Sequence, residues 1–358
     1  MTSVRALTAS AGALALLLTA SACSAIGESS SDDTGSSSPG ATPTRVVLVT
    51  HDSFVLPKPL VKKFEQESGL DLVVRSSGDA GTLTNKLVLT KGNPTGDVSF
   101  GVDNTFGSRA LDEGVFAPYA ADLPAGAEQY LLPGDDDQAL TPVDEASVCV
   151  NVDDTWFADH DLAEPRTLDD LTDPAYRDLF VLPGATTSST GLAFLLATVA
   201  AYGDDWPSYW RDLMDNGAKI TNGWSDAYEV DFTQGGGKGD RPIVLSYDSS
   251  PAFTVSHGTS TTSALLDTCF QQVEYVGVLE GAANKTGAES FLDFMLNPEV
   301  QAALPESMYV FPVVDGTSLP ADWASYATQP DQPYSVDPAD VAAHRDEWLR
   351  EWSDVTSQ

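Results

Sequence analysis

The chain has 358 residues, enough for two ordinary domains, and 42% of them are hydrophobic, which suits a buried core. With 18 Lys and Arg against 53 Asp and Glu, its formal net charge is −35, which argues against nucleic acid and anionic lipid surfaces as principal partners, since both would be repelled. Acidity alone names no partner, because a solubilising surface explains it as well as attraction for a cation does.

Arg5 precedes the apolar run "ALALLLTA", too short to span a bilayer permanently, so residues 1–22 read as an export signal. The stretch "LLLTASAC" resembles a bacterial lipobox, with Ala20 where Leu is usual; the resemblance implies an acylated Cys23, and ordinary signal cleavage is the alternative. From Cys23 to residue 44 the chain is Ser, Gly, Asp and Pro with little to bury, a flexible tether. "RVVLVT" (45–50), "PLVKKFEQESG" (59–69) and "LDLVVR" (70–75) read as strand, helix and strand. "GTLTNKLVLTKG" places Leu83, Leu87 and Val88 on one helical face, and the strand "DVSF" (97–100) follows. The alternation breaks at about 143–152. It then resumes with the strand "LFVLPG" (179–184), the buried helix "TGLAFLLATVAAYG", the amphipathic helix "WPSYWRDLMDNG" and the strand "IVLSY" (243–247). "VEYVGVLEG" (273–281) is a further strand. A last helix begins at Asp337 and Pro338, with Val341, Trp348, Trp352 and Val355 as its packing stripe.

Alternating strands and helices predict an α/β fold with mainly parallel sheets in two lobes: residues 45–147 with 272–358, and residues 148–271. A cleft between such lobes collects the loops beyond the strand ends. Five polar clusters stand there: "HDSF" (51–54), "SSGDAG" (76–81), "GVDN" (101–104), "GATTSSTG" (184–191) and "YDSSPAF" (247–253). The hydroxyls of Thr187, Ser188, Ser189 and Thr190 precede a helix and can hold an anion, although plain capping by Ser189 or Thr190 explains them as well. "GGGKGD" (235–240) lacks the spacing of a phosphate loop and reads as a connection.

Trp224 and Tyr228 stand four residues apart in the polar stretch "TNGWSDAYEVDF". With Tyr247 and Phe253 they can offer ring faces in the cleft, and Asp52, Asp79 and Asp103 can add negative charge, a combination suited to a flat organic cation. Filling of a groove or core by Trp224 is the alternative. The motifs HExxH and GxSxG are missing, no GxGxxG follows the first strand, and no metal-type spacing surrounds a cysteine. Cys149 and Cys269 are left once the signal is set aside, and export permits a bridge between them, two buried thiols being the other reading.

"VTHDSF", "SFGVDN", "TNGWSDAY", "LSYDSSPAF" and "FLDFMLNPEVQAALPESMYVFPV", in this order, resemble the thiamine-binding proteins of bacterial ABC importers over about residues 45–355. The resemblance implies the type II periplasmic binding protein fold, with two hinged lobes that close on thiamine or its phosphates and deliver it to a membrane permease. It makes Trp224 and Tyr247 ligand contacts with Phe253 as a further ring, and sets Asp79 and the 186–190 loop near the ligand and any phosphate. His51, Asp52, Asp103, Asn104, Tyr228 and Ser249 complete the expected site. Two departures stand out: His51 occupies a position where enterobacterial members have Tyr, and "VLPKP" lacks their Trp. The expected protein is a monomeric, lipid-anchored receptor without cofactor, metal or catalysis. Binders of polyamine or ferric ion, and an exported thiamine-processing enzyme, are the competing readings; iron binders of this fold carry a neighbouring Tyr pair that is absent here.

Overall fold

The computed structural model describes residues 44–357. The expectations for the signal segment, for Cys23 and for the tether up to residue 43 lie outside the described residues. The first third builds a parallel block from β1 (Arg45–Thr50), α1 (Lys58–Ser68), β2 (Asp71–Ser76), α2 (Ala80–Thr90), β3 (Val98–Asp103) and α3 (Gly107–Asp112). Pro59 in the first turn of α1 suits a helix start, Leu60 and Phe64 bury its inner face one turn apart, and Gly69 ends it in the left-handed conformation at φ 70°. The second block comprises α4 (Asp154–Asp159), β5 (Phe180–Pro183), α5 (Ser189–Tyr202), α6 (Trp206–Asp215), β6 (Lys219–Thr221) and β7 (Ile243–Tyr247). Helix α5 is apolar on nearly every side, and its buried residues run unbroken from Ser189 to Thr198, so it is a core helix rather than a surface one.

Between the blocks lies β4 (Thr141–Asp153), thirteen buried residues where the sequence pattern breaks. After the hairpin of β8 (Val255–Ser256) and β9 (Thr259–Ser260) comes β10 (Thr262–Val278), seventeen residues long. The chain ends with α7 (Lys285–Met295), α8 (Pro298–Met308), β11 (Phe311–Pro312), α9 (Ala321–Tyr326) and α10 (Pro338–Thr356). Asp337 caps α10 by accepting from the Ala339 N–H at 2.8 Å, and Val341, Trp352 and Val355 are buried.

Among the described residues one nine-stranded sheet runs β2-β1-β3-β10-β4-β7-β5-β6, with β11 paired to β4. Its flanks are parallel, β2-β1-β3 on one side and β7-β5-β6 on the other, while β10 is antiparallel to β3 and β4, and β4 to β7. The expected break at about 143–152 is therefore a strand. Two long strands cross between the blocks, and a strand buried along its whole length shows no period-two signal. The disulfide between Cys149 and Cys269, with Cα atoms 4.2 Å apart, joins β4 to β10. One large core surrounds α5, α6 and the middle of β4, and a second packs α1, α7 and α8 against β1, β3 and the far end of β10.

Candidate functional site

The loops at the carboxyl ends of β1, β2, β5, β6 and β7 face one cavity of about 200 Å³, lined by His51, Asp52, Asp79, Ser189, Trp224 and Tyr247 among the residues expected from sequence. Glu229, Glu274 and Tyr309 also line it. Its lining holds four carboxylates, Asp52, Asp79, Glu229 and Glu274, and three aromatic rings, Trp224, Tyr247 and Tyr309, but no Lys or Arg. Such a surface favours a positive, partly flat guest.

The aromatic wall supports itself. Trp224 begins a short helical segment that widens into a π-helical turn at Asp226–Asp231, and this sets Tyr228 beside it with ring centroids 5.0 Å apart and planes 11° from parallel. The Trp224 indole N–H donates to Ser246 Oγ at 3.0 Å, and Tyr247 and Tyr309 lie at centroid distances of 6.0 and 5.6 Å. Trp224 keeps only 7% of its surface exposed. Trp224 packs a small core with Val181, Phe232 and Val244 and at the same time lines the cavity. Tyr309 ends α8 at φ 66°, a conformation costly for a residue with a Cβ, and stacks on Phe253 at 3.4 Å.

The opposite wall is electrostatic. Strand register sets Glu274 of β10 directly beside Asp103 of β3 and Asp144 of β4, three acids in one row across three strands. Like charges directly opposite one another in a sheet repel, and all three side chains are buried. Burial first, and then the neighbouring Glu274, pushes Asp103 up to about 7 and raises Asp144 well above the usual carboxylate range. Burial thus favours the protonated forms of Asp103 and Asp144. His51 Nε2 lies 3.2 Å from Glu274 Oε1. Burial opposes its protonation, but the carboxylates of Glu274, Asp79 and Asp52 outweigh burial and raise its pKa above 6.5. Gly101, at φ 98°, leaves the imidazole its room: a Cβ there would fall 2.0 Å from His51 Cδ2.

Asp79 connects the walls. As the cap of α2 it accepts from the Ala80 N–H at 2.6 Å, and its other oxygen accepts from the Trp224 N–H at 2.8 Å. Burial raises its pKa, and the Trp224 N–H and His51 oppose the rise. Nearby, the Thr82 N–H donates to the Thr187 carbonyl at 3.0 Å, a close approach made possible by Gly81, whose Cβ would meet the Thr187 carbonyl carbon at 2.8 Å.

Several expected residues stand outside the lining. Asp103 lies behind Glu274 and accepts from Thr105 Oγ1 at 2.7 Å; Asn104 bridges to β10 through the Gln271 carbonyl and the Val273 N–H. Thr187 contacts α2. Ser188, and not Ser189 or Thr190, is the cap residue of α5, and its side chain makes no capping bond, pairing instead with Thr190 Oγ1 at 2.9 Å. Ser249 donates to the Tyr309 carbonyl at 2.5 Å, while Tyr228 and Phe253 back Trp224 and Tyr309. Sequence reasoning passed over Glu274, whose trace is a single charge in the otherwise uncharged strand "QQVEYVGV". It also passed over Tyr309, at a helix end where Gly or Asn is usual. Glu229 left no signal in so acidic a chain. Among the described residues no group of three or more His, Cys, Asp or Glu is arranged to hold a metal ion.

Residues 59–330 match the family model described as bacterial extracellular solute-binding protein. The thiamine-binding periplasmic protein of Brucella melitensis is 32% identical over 328 residues, covering 88% of this chain and 92% of that protein. Its Escherichia coli counterpart is 29% identical over 321 residues, covering 87% and 94%. A solved structure titled periplasmic thiamin binding protein superposes with a TM-score of 0.78 at 28% identity, covering 89% of this chain and all of that one.

Proposed function

The chain belongs to the bacterial extracellular solute-binding proteins, and from that premise we propose that it captures thiamine, or a thiamine phosphate, in the cavity between its aromatic and carboxylate walls and hands it to an ABC permease without altering it. The observation that carries this reading is a lining of four carboxylates and three rings with no Lys or Arg. Thiamine has a permanently charged thiazolium and an aminopyrimidine, so ring faces and carboxylates answer both halves, at about 0.5–2 kcal/mol for each well-placed ring. The names borne by the relatives point the same way.

The cavity is smaller than the ~300–1,000 Å³ usual for organic ligands, so entry requires the walls to part. Residues 45–147 with 272–358 act as one lobe and 148–271 as the other. Ser147 and Gln271, at the two expected boundaries, are register partners on β4 and β10, which supports crossings at one level of the sheet. The bonds from Trp224 to Asp79 and from Thr82 to Thr187 would then be closing contacts. Export, acylation at Cys23, attachment to the outer face of the membrane and a monomeric state complete the proposal. Among the described residues no helix is long and apolar enough to cross a membrane.

Calorimetric titration of the purified protein with thiamine, its mono- and diphosphate, spermidine and ferric citrate tests it. Saturable heat with a thiamine form and none with spermidine or iron is expected; heat only with spermidine or iron, or conversion of thiamine during the titration, would overturn it.

A further inference from the structure

The carboxylate wall contains one group that can carry positive charge, and that group touches Glu274. His51 Nε2 sits 3.2 Å from Glu274 Oε1, both side chains are about nine-tenths buried, and both line the cavity. The groups facing this pair are acidic from every neighbouring element. Asp52 follows His51 on its own loop, Asp79 approaches from the cap of α2, Asp103 and Asp144 flank Glu274 from β3 and β4, and the Tyr247 phenol comes from β7. No Lys or Arg lines the cavity. A negative Glu274 in this setting needs a counter-charge, and in the unliganded protein the imidazolium is the one at hand.

We propose that Glu274 is the carboxylate that holds the positive charge of the ligand, and that His51 is its stand-in partner, so that an organic cation enters the cleft in exchange for the proton on His51. The inference rests on the thiamine reading and adds to it the identity of the anionic subsite and a proton balance. A cation beside Glu274 removes the attraction that keeps the imidazole protonated and adds repulsion of its own. One proton leaves for each ligand bound, from Nε2 to solvent, and the net charge of the site is unchanged. By linkage the affinity for thiamine rises with pH by up to about tenfold per unit below the midpoint of His51 and levels off above it. Release of protons from Asp103 or Asp144 would give a slope of the same sign, so the test must single out the histidine.

Imidazole resonances followed by NMR across pH, in the wild type, in His51→Gln and in Glu274→Gln, provide that test, alongside calorimetry in buffers of different ionisation enthalpy. Without ligand, the midpoint of His51 should lie above 6.5 and fall by at least one unit in Glu274→Gln. Saturating thiamine should leave His51 neutral at about pH 6.5 with more than half a proton released. The affinity of His51→Gln should be nearly flat with pH, and Glu274→Gln should bind at least about tenfold more weakly than wild type. A His51 midpoint unmoved by Glu274→Gln or by thiamine would overturn the exchange, as would an undiminished pH slope in His51→Gln, which would assign the proton to the buried acids. If thiamine does not bind at all, both the exchange and the receptor reading fall, whereas binding with a silent His51 defeats the exchange alone.

Discussion

The two walls of the cavity solve opposite problems. The aromatic wall is built from groups that stabilise one another without a ligand: Trp224 on Tyr228, Tyr309 on Phe253, and an indole N–H already satisfied by Ser246. The carboxylate wall presents Glu274, which stands beside the His51 imidazole and between two buried acids behind the lining, Asp103 and Asp144. One wall is preorganised and inert to pH. The other gathers like charges, and on the proposed reading that contrast suits the cleft to a cation better than to an apolar guest.

The strongest way to break the comparison is to remove the ring on which the first wall depends. Trp224→Ala should cost about 3–5 kcal/mol of stability, since a buried Trp is lost from a packed cluster. It should also weaken thiamine binding by about 1–2 kcal/mol, roughly five- to thirtyfold. Denaturant unfolding and calorimetry of the same variant report both. A folded variant with undiminished affinity would leave Trp224 as packing alone.

The second wall should reveal itself through pH. Asp103 has its pKa raised by burial from 3.8 to about 7, so the native state holds its proton more tightly than the unfolded chain does. Its contribution is complete below 3.8 and is lost as pH climbs through about 7. Glu145, raised chiefly by burial to about 7, and His51, raised by its carboxylate neighbours, act in the same sense. The ligand-free protein should therefore be about 5 kcal/mol less stable at about pH 8 than at about pH 5. Asp103→Asn should flatten part of that slope, because its amide oxygen can still accept from Thr105 and Phe106 while nothing ionises. Equal stability at both pH values would mean that the acid row carries its charge without cost.

The two walls also differ in how far the sequence foretold them. Trp224, Tyr247 and Asp79 were legible because aromatic residues and a capping Asp stand out in loops after strands, and the motifs around them resemble a known family. Most strands and helices of both parallel blocks were legible from their periodicity, but the short α3, α4 and β6 were not. The long strand β4 was not legible either, since burial on both faces erases alternation, and of β10 only the part from residue 273 was read, so the acid row was not seen as a row. Glu274 of β10 is more than a hundred residues from both other members, so only register brings it between Asp103 and Asp144. In a chain with 53 Asp and Glu, no local pattern singles those three out.

Tyr309 sharpens the comparison with the smallest effect. Its left-handed backbone at φ 66° costs about 1–2 kcal/mol for an L residue, and its ring returns part of that through stacking on Phe253 and contact with Trp224. In Tyr309→Gly the relieved strain and the lost ring contacts oppose each other, so stability should change by no more than about 1 kcal/mol. Affinity for thiamine should still fall by about 1 kcal/mol, as one of the three rings lining the cavity is gone. Trp224→Ala would lower stability and affinity together, whereas Tyr309→Gly would lower affinity alone, because at position 309 the protein holds a strained conformation whose benefit lies in the ring it presents to the cavity. Thermal unfolding and calorimetry of Tyr309→Gly decide it: a large loss of stability with unchanged affinity would move Tyr309 out of the site and into the packing behind it.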